Sequence, residues 1–232
     1  MTDSHCISAT GAHGLVEARR NPAFGQVLKA FALNLPDGMP VVWLGRLKGA
    51  HDMERCYGPD FLRDVLLATA NTQVTHFFCG GKDGIARELR SVAESRFGNP
   101  HCVGTYSPPF HEMRQEEWRG LAEAINAAKP DIVWIGLSTP KQERFAHELS
   151  RRVNVHFIIT VGAAFDIHTG HLHQAPRLLQ RMGLEWLFRL VMEPRRLWRR
   201  YLKIVPLFLV YAVNDLVRGQ RIRHTPPKAS DD

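Results

Sequence analysis

Several things are scarce in this chain, and each scarcity narrows the reading. Its four cysteines, Cys6, Cys56, Cys79 and Cys102, are widely spaced and form no CxxC pair. That argues against a zinc site and against a disulfide framework, and it suits a reducing cytosol. The longest apolar run, Ile204 to Val213, is about half of the roughly 20 residues a membrane-spanning helix needs. No basic stretch followed by an apolar one opens the chain, so a secretory leader is not expected. The sequence also lacks a full GxGxxG fingerprint, a GxxxxGK phosphate loop and any DxD pair.

What the chain does have is a core's worth of apolar residues and an uneven charge. At 232 residues and 44% hydrophobic composition, it suits one large domain, or one domain with an appendage. The formal net charge of +7 is concentrated near the end: eleven Lys/Arg and only three acids (Glu185, Glu193, Asp215) lie between Arg177 and Arg223. Such asymmetry points to an anionic partner, either nucleic acid or a membrane surface. The apolar residues Leu187, Leu190, Val191, Trp198, Tyr201 and Leu202 recur at helical spacing. Most of the arginines fall elsewhere, which is the pattern of an interfacial helix.

Helical patterns alternate with short apolar runs, as in a parallel α/β sheet. Strands are expected at Val74–Cys79, His101–Tyr106, Asp131–Gly136 and Val155–Val161. Helices are expected at Gly14–Ala32, Phe61–Ala70, Asp83–Arg96, Glu116–Ala128 and from Pro140 or Lys141 to Arg152. Val41–Leu44 reads as a strand or as the start of a helix. From Leu178 the chain reads as helical, with breaks at Pro194 and Pro206. Residues 224–232 are expected to be a disordered tail, which divides the chain into a core (1–176), a basic amphipathic appendage (177–223) and that tail.

Four junctions carry polar or flexible residues where an α/β sheet binds ligands, outside the carboxyl ends of its strands. Gly80 and Gly81 would let a phosphate approach the backbone, although a plain turn explains them equally well. In Gly136-Leu-Ser-Thr-Pro-Lys-Gln-Glu143, helix capping accounts for Ser138 or Thr139. It does not account for Lys141, Gln142 and Glu143 together, which make a polar-ligand cluster. In Gly162-Ala-Ala-Phe-Asp166, Asp166 could bond sugar or ribose hydroxyls, or simply close an Asx turn. In Leu35-Pro-Asp-Gly-Met-Pro40, Asp37 is either a turn residue or, at a ligand mouth, a general base. His168, His171 and His173 match no closed zinc pattern and read as surface residues.

Taken in order, these runs resemble the bacterial WecG/TagA/CpsF glycosyltransferases. The resemblance covers about residues 7–209 and includes Thr10-Gly-Ala-His-Gly14, Pro36-Asp-Gly-Met-Pro-Val-Val-Trp43, Glu54-Arg-Cys-Tyr-Gly-Pro-Asp60, Gly80-Gly-Lys82, the 136–143 and 162–166 runs, Ala175-Pro176, Gly183-Leu-Glu-Trp186 and Glu193-Pro-Arg-Arg196. It implies a Rossmann-like, mostly parallel sheet flanked by helices, with a C-terminal helical appendage that contacts the membrane. The implied reaction moves an N-acetylmannosamine-type sugar, or its uronic acid, from a UDP-sugar to a polyprenyl-diphosphate-linked acceptor, with inversion. The enzyme is expected on the cytoplasmic face of the plasma membrane, with no cofactor or metal and with self-association left open.

By position, Asp37 matches the proposed base and Thr10 a polar neighbour. Gln142 matches a sugar-nucleotide contact, and Arg195, Arg196 and Arg199 are chosen for the lipid diphosphate. Two departures from the family pattern stand out: only nine residues precede Thr10, so that either the first strand is short or the start codon is misassigned, and Gln174 stands where many members carry arginine. Two other classes compete. A nucleic-acid binder is suggested by the basic tail but has no recognised motif. A nucleotide-dependent oxidoreductase would need the missing glycine fingerprint.

Overall fold

In the computed structural model, residues 4–219 are described. Six strands, β1 (His5–Thr10), β2 (Leu33–Pro36), β3 (His76–Gly80), β4 (Cys102–Tyr106), β5 (Ile132–Gly136) and β6 (Phe157–Thr160), form one sheet in the order β2-β1-β6-β5-β3-β4. Every pairing is parallel. Eleven described helices accompany it: α1 (Ala12–Arg20), α2 (Pro22–Lys29), α3 (Met39–Leu47), α4 (Gly58–Thr69), α5 (Ile85–Phe97), α6 (Gln115–Ala128), α7 (Lys141–Ser150), α8 (Ala164–His168), α9 (Arg177–Arg181), α10 (Glu185–Met192) and α11 (Pro194–Val217).

Two apolar layers sandwich this sheet. On one face Leu121 and Ile125 of α6 and Phe145, Ala146 and Leu149 of α7 pack on Phe77, Val133 and Ile158. On the other, Leu62 and Leu66 of α4, Leu89 and Ala93 of α5 and Phe165 of α8 pack on Phe78, Trp134 and Ile159. Both faces are therefore covered, which is why β3 and β5 are buried at all five positions and read as unbroken apolar runs. The chain leaves β3 toward β4 but leaves β5 toward β6. With right-handed crossovers, α5 and α7 must then lie on opposite faces, and a crevice opens between the ends of β3 and β5.

The expected core strands and helices occur, with boundaries shifted by a few residues. Three details depart from the sequence reading, and one open alternative is decided. The helix expected over 14–32 is two helices, because Asn21 leaves helical backbone and its side chain accepts the Phe24 N–H at 3.1 Å, just ahead of α2's Pro22. Val41–Leu44, read as a strand or as the start of a helix, is the latter and lies inside α3. Strands β1 and β2 were not legible as strands. One mixes polar and apolar residues and is buried at four of its six positions, and the other is a four-residue edge strand. Pro206 does not end a helix: α11 runs through it. Its ring denies a hydrogen bond to the Leu202 carbonyl. Leu202 is exposed and that carbonyl can be hydrated, while Ile204 and Phe208 anchor the turns on either side to Val16. The tail expected at 224–232 lies outside the described residues. Among the described residues no helix is long and apolar enough to cross a membrane.

Crowding at the crevice makes a stability prediction. A Cβ on Gly136 would lie 2.5 Å from the buried Phe165 ring, whereas one on Gly120, inside α6, would meet nothing. Gly136→Ala should therefore destabilise by about 1–3 kcal/mol through overpacking. Gly120→Ala should stabilise by roughly 0.5–1 kcal/mol through helix propensity. Urea midpoints of the two variants check both signs.

Candidate active site

Because all six strands run the same way, Thr10, Pro36, Gly80, Gly136 and Thr160 end on one edge of the sheet. Beneath that edge lies a buried polar shelf. Thr139 Oγ1 (2.8 Å), Gln142 Nε2 (3.0 Å) and Ser8 Oγ (3.4 Å) all donate to Glu143 Oε1. Thr10 Oγ1 (2.9 Å) and Thr160 Oγ1 (3.0 Å) donate in turn to Ser8 Oγ. Glu143 is fully buried and its Oε2 has no partner. Burial raises its pKa above the ordinary carboxyl value, and the three donors only partly offset this.

Gln142 is also buried, with both ends of its amide in use: Nε2 faces Glu143 and Thr139, and Oε1 accepts the Gly162 N–H at 3.0 Å. The two residues thus tie the start of α7 to β1 and to the turn after β6. Lys141 is exposed beside them, and its Nζ donates to the Pro109 carbonyl at 3.4 Å.

Asp37 follows β2 at the edge of the sheet, and its backbone N–H donates to the Thr10 carbonyl at 3.1 Å. Gly11 packs so closely that a Cβ there would lie 3.0 Å from the Asp37 carbonyl oxygen. The residue keeps partial access to solvent, yet crowding by protein raises its carboxyl pKa to about 7. Desolvation is the main cause, reinforced by Glu185 and Asp60 and opposed by Arg55 and Arg189. Arg55 donates to Gln180 Oε1 and to Glu185 Oε2, both at 2.8 Å, and its guanidinium lies 4.1 Å from the Tyr57 ring centre. Burial and Glu185 push the Tyr57 phenol far upward.

This mouth is roofed by the C-terminal helices. Gly183, at φ +66°, fits where a side chain would strike Trp43 of α3. The arrangement brings α10 near enough for the charges of Glu185 and Arg189 to act on Asp37. On the α1 side, burial and Arg200 lower the His13 pKa to about 4.

The expected residues are distributed unevenly. Thr10 and Asp37 adjoin through backbone at one edge. Gly80 and Gly81 close β3 four strands away, roughly 19 Å at about 4.8 Å per strand. Gly80 is held by close contact with Gly136, where a Cβ would lie 2.5 Å from the carbonyl oxygen. Asp166 is half-buried in the first turn of α8. Arg195, Arg196 and Arg199 are exposed on α11: Arg196 pairs with Glu193 at 2.7 Å, and Arg199 lies over the Trp198 ring. The arginines whose charge reaches Asp37 are Arg55 and Arg189. Arg55, Tyr57 and Glu185 lie in motif runs quoted from the sequence without a site role of their own, and Arg189 lies outside those runs. The histidines separate, His168 facing the Pro59 carbonyl and His171 the Glu88 carboxylate. No group of three or more potential metal ligands gathers among the described residues.

The family model described as "Glycosyl transferase WecG/TagA/CpsF family" matches residues 1–222. A protein of Bacillus spizizenii (strain ATCC 23059 / NRRL B-14472 / W23), called N-acetylglucosaminyldiphosphoundecaprenol N-acetyl-beta-D-mannosaminyltransferase, is 31% identical over 188 residues, covering 81% of this chain and 71% of its own. A protein of the same name from Bacillus subtilis (strain 168) is 31% identical over 206 residues, covering 89% and 77%. A parallel α/β sheet with a polar, carboxylate-bearing mouth, matched along nearly its whole length, places the chain in the WecG/TagA/CpsF family of glycosyltransferases.

Proposed function

We propose that this glycosyltransferase moves an N-acetylmannosamine-type sugar, or its uronic acid, from a UDP-sugar to a sugar carried on a polyprenyl diphosphate, with inversion at the anomeric carbon. Such a product would serve cell-envelope or exopolysaccharide synthesis. The observation that carries the reading is Asp37, a carboxylate beside Thr10 at the strand ends with a pKa near neutrality, on which the charges of Arg55 and Arg189 act. A general base is most effective when its pKa lies near the working pH. Asp37 would take the proton from the acceptor hydroxyl as that oxygen attacks the anomeric carbon, and UDP would leave. The names of the two Bacillus relatives support the acceptor class.

A nucleotide diphosphate is an elongated ligand, which suits a site stretched from the glycines at the β3–β5 crevice to Asp37. Backbone N–H groups and arginines would stabilise the charge that builds on the leaving diphosphate. The absence of a DxD pair from the sequence supports transfer without a divalent ion, and turnover that collapses in chelator would reject that clause.

The location we propose is peripheral, on the cytoplasmic face of the plasma membrane. In α11, Ile204 and Phe208 face the protein while Leu202, Leu209, Val210, Val213 and Val217 are exposed. Exposed Arg195, Arg196 and Arg199 occupy its first turns. An apolar ridge with cations beside it matches an interface of anionic headgroups over acyl chains. Leu209→Asp with Val213→Asp should therefore lower cosedimentation with vesicles containing anionic lipid at least severalfold. Unchanged vesicle binding, with loss of an oligomer by light scattering, would assign the ridge to self-association instead.

Two measurements test Asp37. UDP release from a panel of UDP-N-acetylhexosamines, given a polyprenyl-diphosphate-GlcNAc acceptor, should fall about 10²–10⁴-fold in Asp37→Ala. The wild-type kcat/KM should rise with pH and level off above about 7. Acceptor-dependent release that survives the substitution would move the base elsewhere. The second measurement is thermodynamic. With a folded-state pKa near 7 against an ordinary 3.8, the folded protein binds more protons than the unfolded chain in that window. Stability attributable to this group is therefore lost as pH rises from about 4 to 7. Asp37→Asn should accordingly gain urea resistance over wild type at pH 8 that is absent at pH 4. Equal differences at both pH values would mean that the carboxyl titrates normally.

A further inference from the structure

Beside Asp37, and sharing Arg55 with its surroundings, α4 and α9 border a cavity of about 220 Å³ lined by Arg55, Asp60, Arg63, Arg177, Gln180 and Arg181. Four of its six lining residues are guanidinium cations and one is an acid. Two of the cations are neutralised: Arg55 by Glu185 (2.8 Å), and Arg63 by Asp60 (3.0 Å) and Asp64 (2.7 Å). Arg177 and Arg181 have no carboxylate partner among the described residues, and both are exposed at the rim. Arg55 also holds a buried Nε–H with no acceptor, an unmet donor in the cavity wall. Gln180 is fixed as part of that wall, because its Nε2 donates to the Ala175 carbonyl at 2.6 Å while its Oε1 accepts from Arg55.

We propose that this cavity is a diphosphate subsite, with Arg177 and Arg181 supplying the uncompensated charge. Guanidinium forks match phosphate oxygens two at a time, and unpaired arginines converging on one space lose little by desolvation when an anion arrives. The volume fits a compact anion, being below the roughly 300–1,000 Å³ of pockets that enclose whole drug-sized ligands. The Cys56 N–H, next to Arg55, donates to the Pro36 carbonyl at 2.9 Å, and Asp37 senses both Arg55 and Asp60 of this wall, so the cavity adjoins the proposed base. The inference rests on the glycosyl-transfer reading only in naming two sources for the anion: the diphosphate of the lipid-linked acceptor or that of the nucleotide. The two share one chemistry, and binding data separate them.

The test uses the full chain and equilibrium binding, with inorganic pyrophosphate as the first probe and UDP and a water-soluble short-chain prenyl diphosphate as the two arms. Arg177→Ala/Arg181→Ala should weaken pyrophosphate binding by about tenfold or more, as expected for loss of charge-assisted contacts. Arg87→Ala/Arg90→Ala, which removes two exposed cations from α5, should leave it unchanged. Loss confined to the prenyl diphosphate arm assigns the acceptor, loss confined to UDP assigns the donor, and loss in both assigns a subsite that reads the diphosphate alone. No loss, an equal loss in the α5 control, or no pyrophosphate binding by wild type would overturn the subsite. Because the readout is binding, pyrophosphate capture by a chain that transfers no sugar would keep the subsite and remove the catalytic reading. Transfer with pyrophosphate binding untouched in Arg177→Ala/Arg181→Ala would do the reverse. The circular dichroism melting curve of that variant, altered only at exposed positions, should overlay the wild type.

Discussion

The pairing of the first strand with the last is the contact on which the site depends. β1 and β6 lie side by side in parallel register, Ser8 against Thr160, so residues about 150 positions apart share one buried hydroxyl cluster. Glu143, from the helix after β5, closes that cluster by receiving donors from Ser8, Thr139 and Gln142. A buried carboxyl surrounded by hydroxyls is costly if any member is missing and rigid if all are present. The shelf therefore holds three chain segments in fixed relation just below the mouth, with Thr10 as its uppermost hydroxyl and Asp37 hung from the Thr10 carbonyl.

Charge at the mouth is set by a contest between desolvation and pairing. Burial and Glu185 push the Asp37 carboxyl toward its neutral form, while Arg55 and Arg189 pull it back. Burial wins by enough to bring the pKa near 7. Half of the groups in that contest, Glu185 and Arg189, come from α10, after the sheet is complete. The C-terminal helices therefore contribute directly to the acid–base character of a residue about 150 positions earlier, besides covering it.

The last helix is used on two sides. One is fastened to the body by Ile204 and Phe208 against Val16, and by Asp215, which binds Arg19 at 2.6 Å and Lys48 at 3.5 Å. Those cations hold the Asp215 carboxyl below its usual range despite its burial cost. The other side keeps Leu209, Val210, Val213 and Val217 exposed on successive turns, a contiguous apolar strip that a soluble monomer would ordinarily cover. A helix so anchored cannot turn its strip inward.

The periodicities of 2 and 3.6 residues are properties of the chain itself, so the α/β class, the core strands β3 to β6 and the helices between them could be read directly. So could the site-bearing runs, since turn residues at strand ends and a basic, Trp-bearing tail are local signals. β1 and β2 could not: β1 carries polar residues at buried positions, and β2 is a short edge strand defined by its pairing with β1. The fate of Gln142 and Glu143 also stayed hidden: their polarity looked available to a ligand, and only the fold shows the Gln142 amide and Glu143 Oε1 engaged inside. In the same way, the sequence marked the C-terminal arginines as a group. Which of them reach Asp37, and which stay in solvent or pair with Glu193, was decided by where α3 seats Gly183 and thereby aims α10. A pKa near 7 has no sequence signature, because it arises from desolvation and charges brought together from separated segments by the fold.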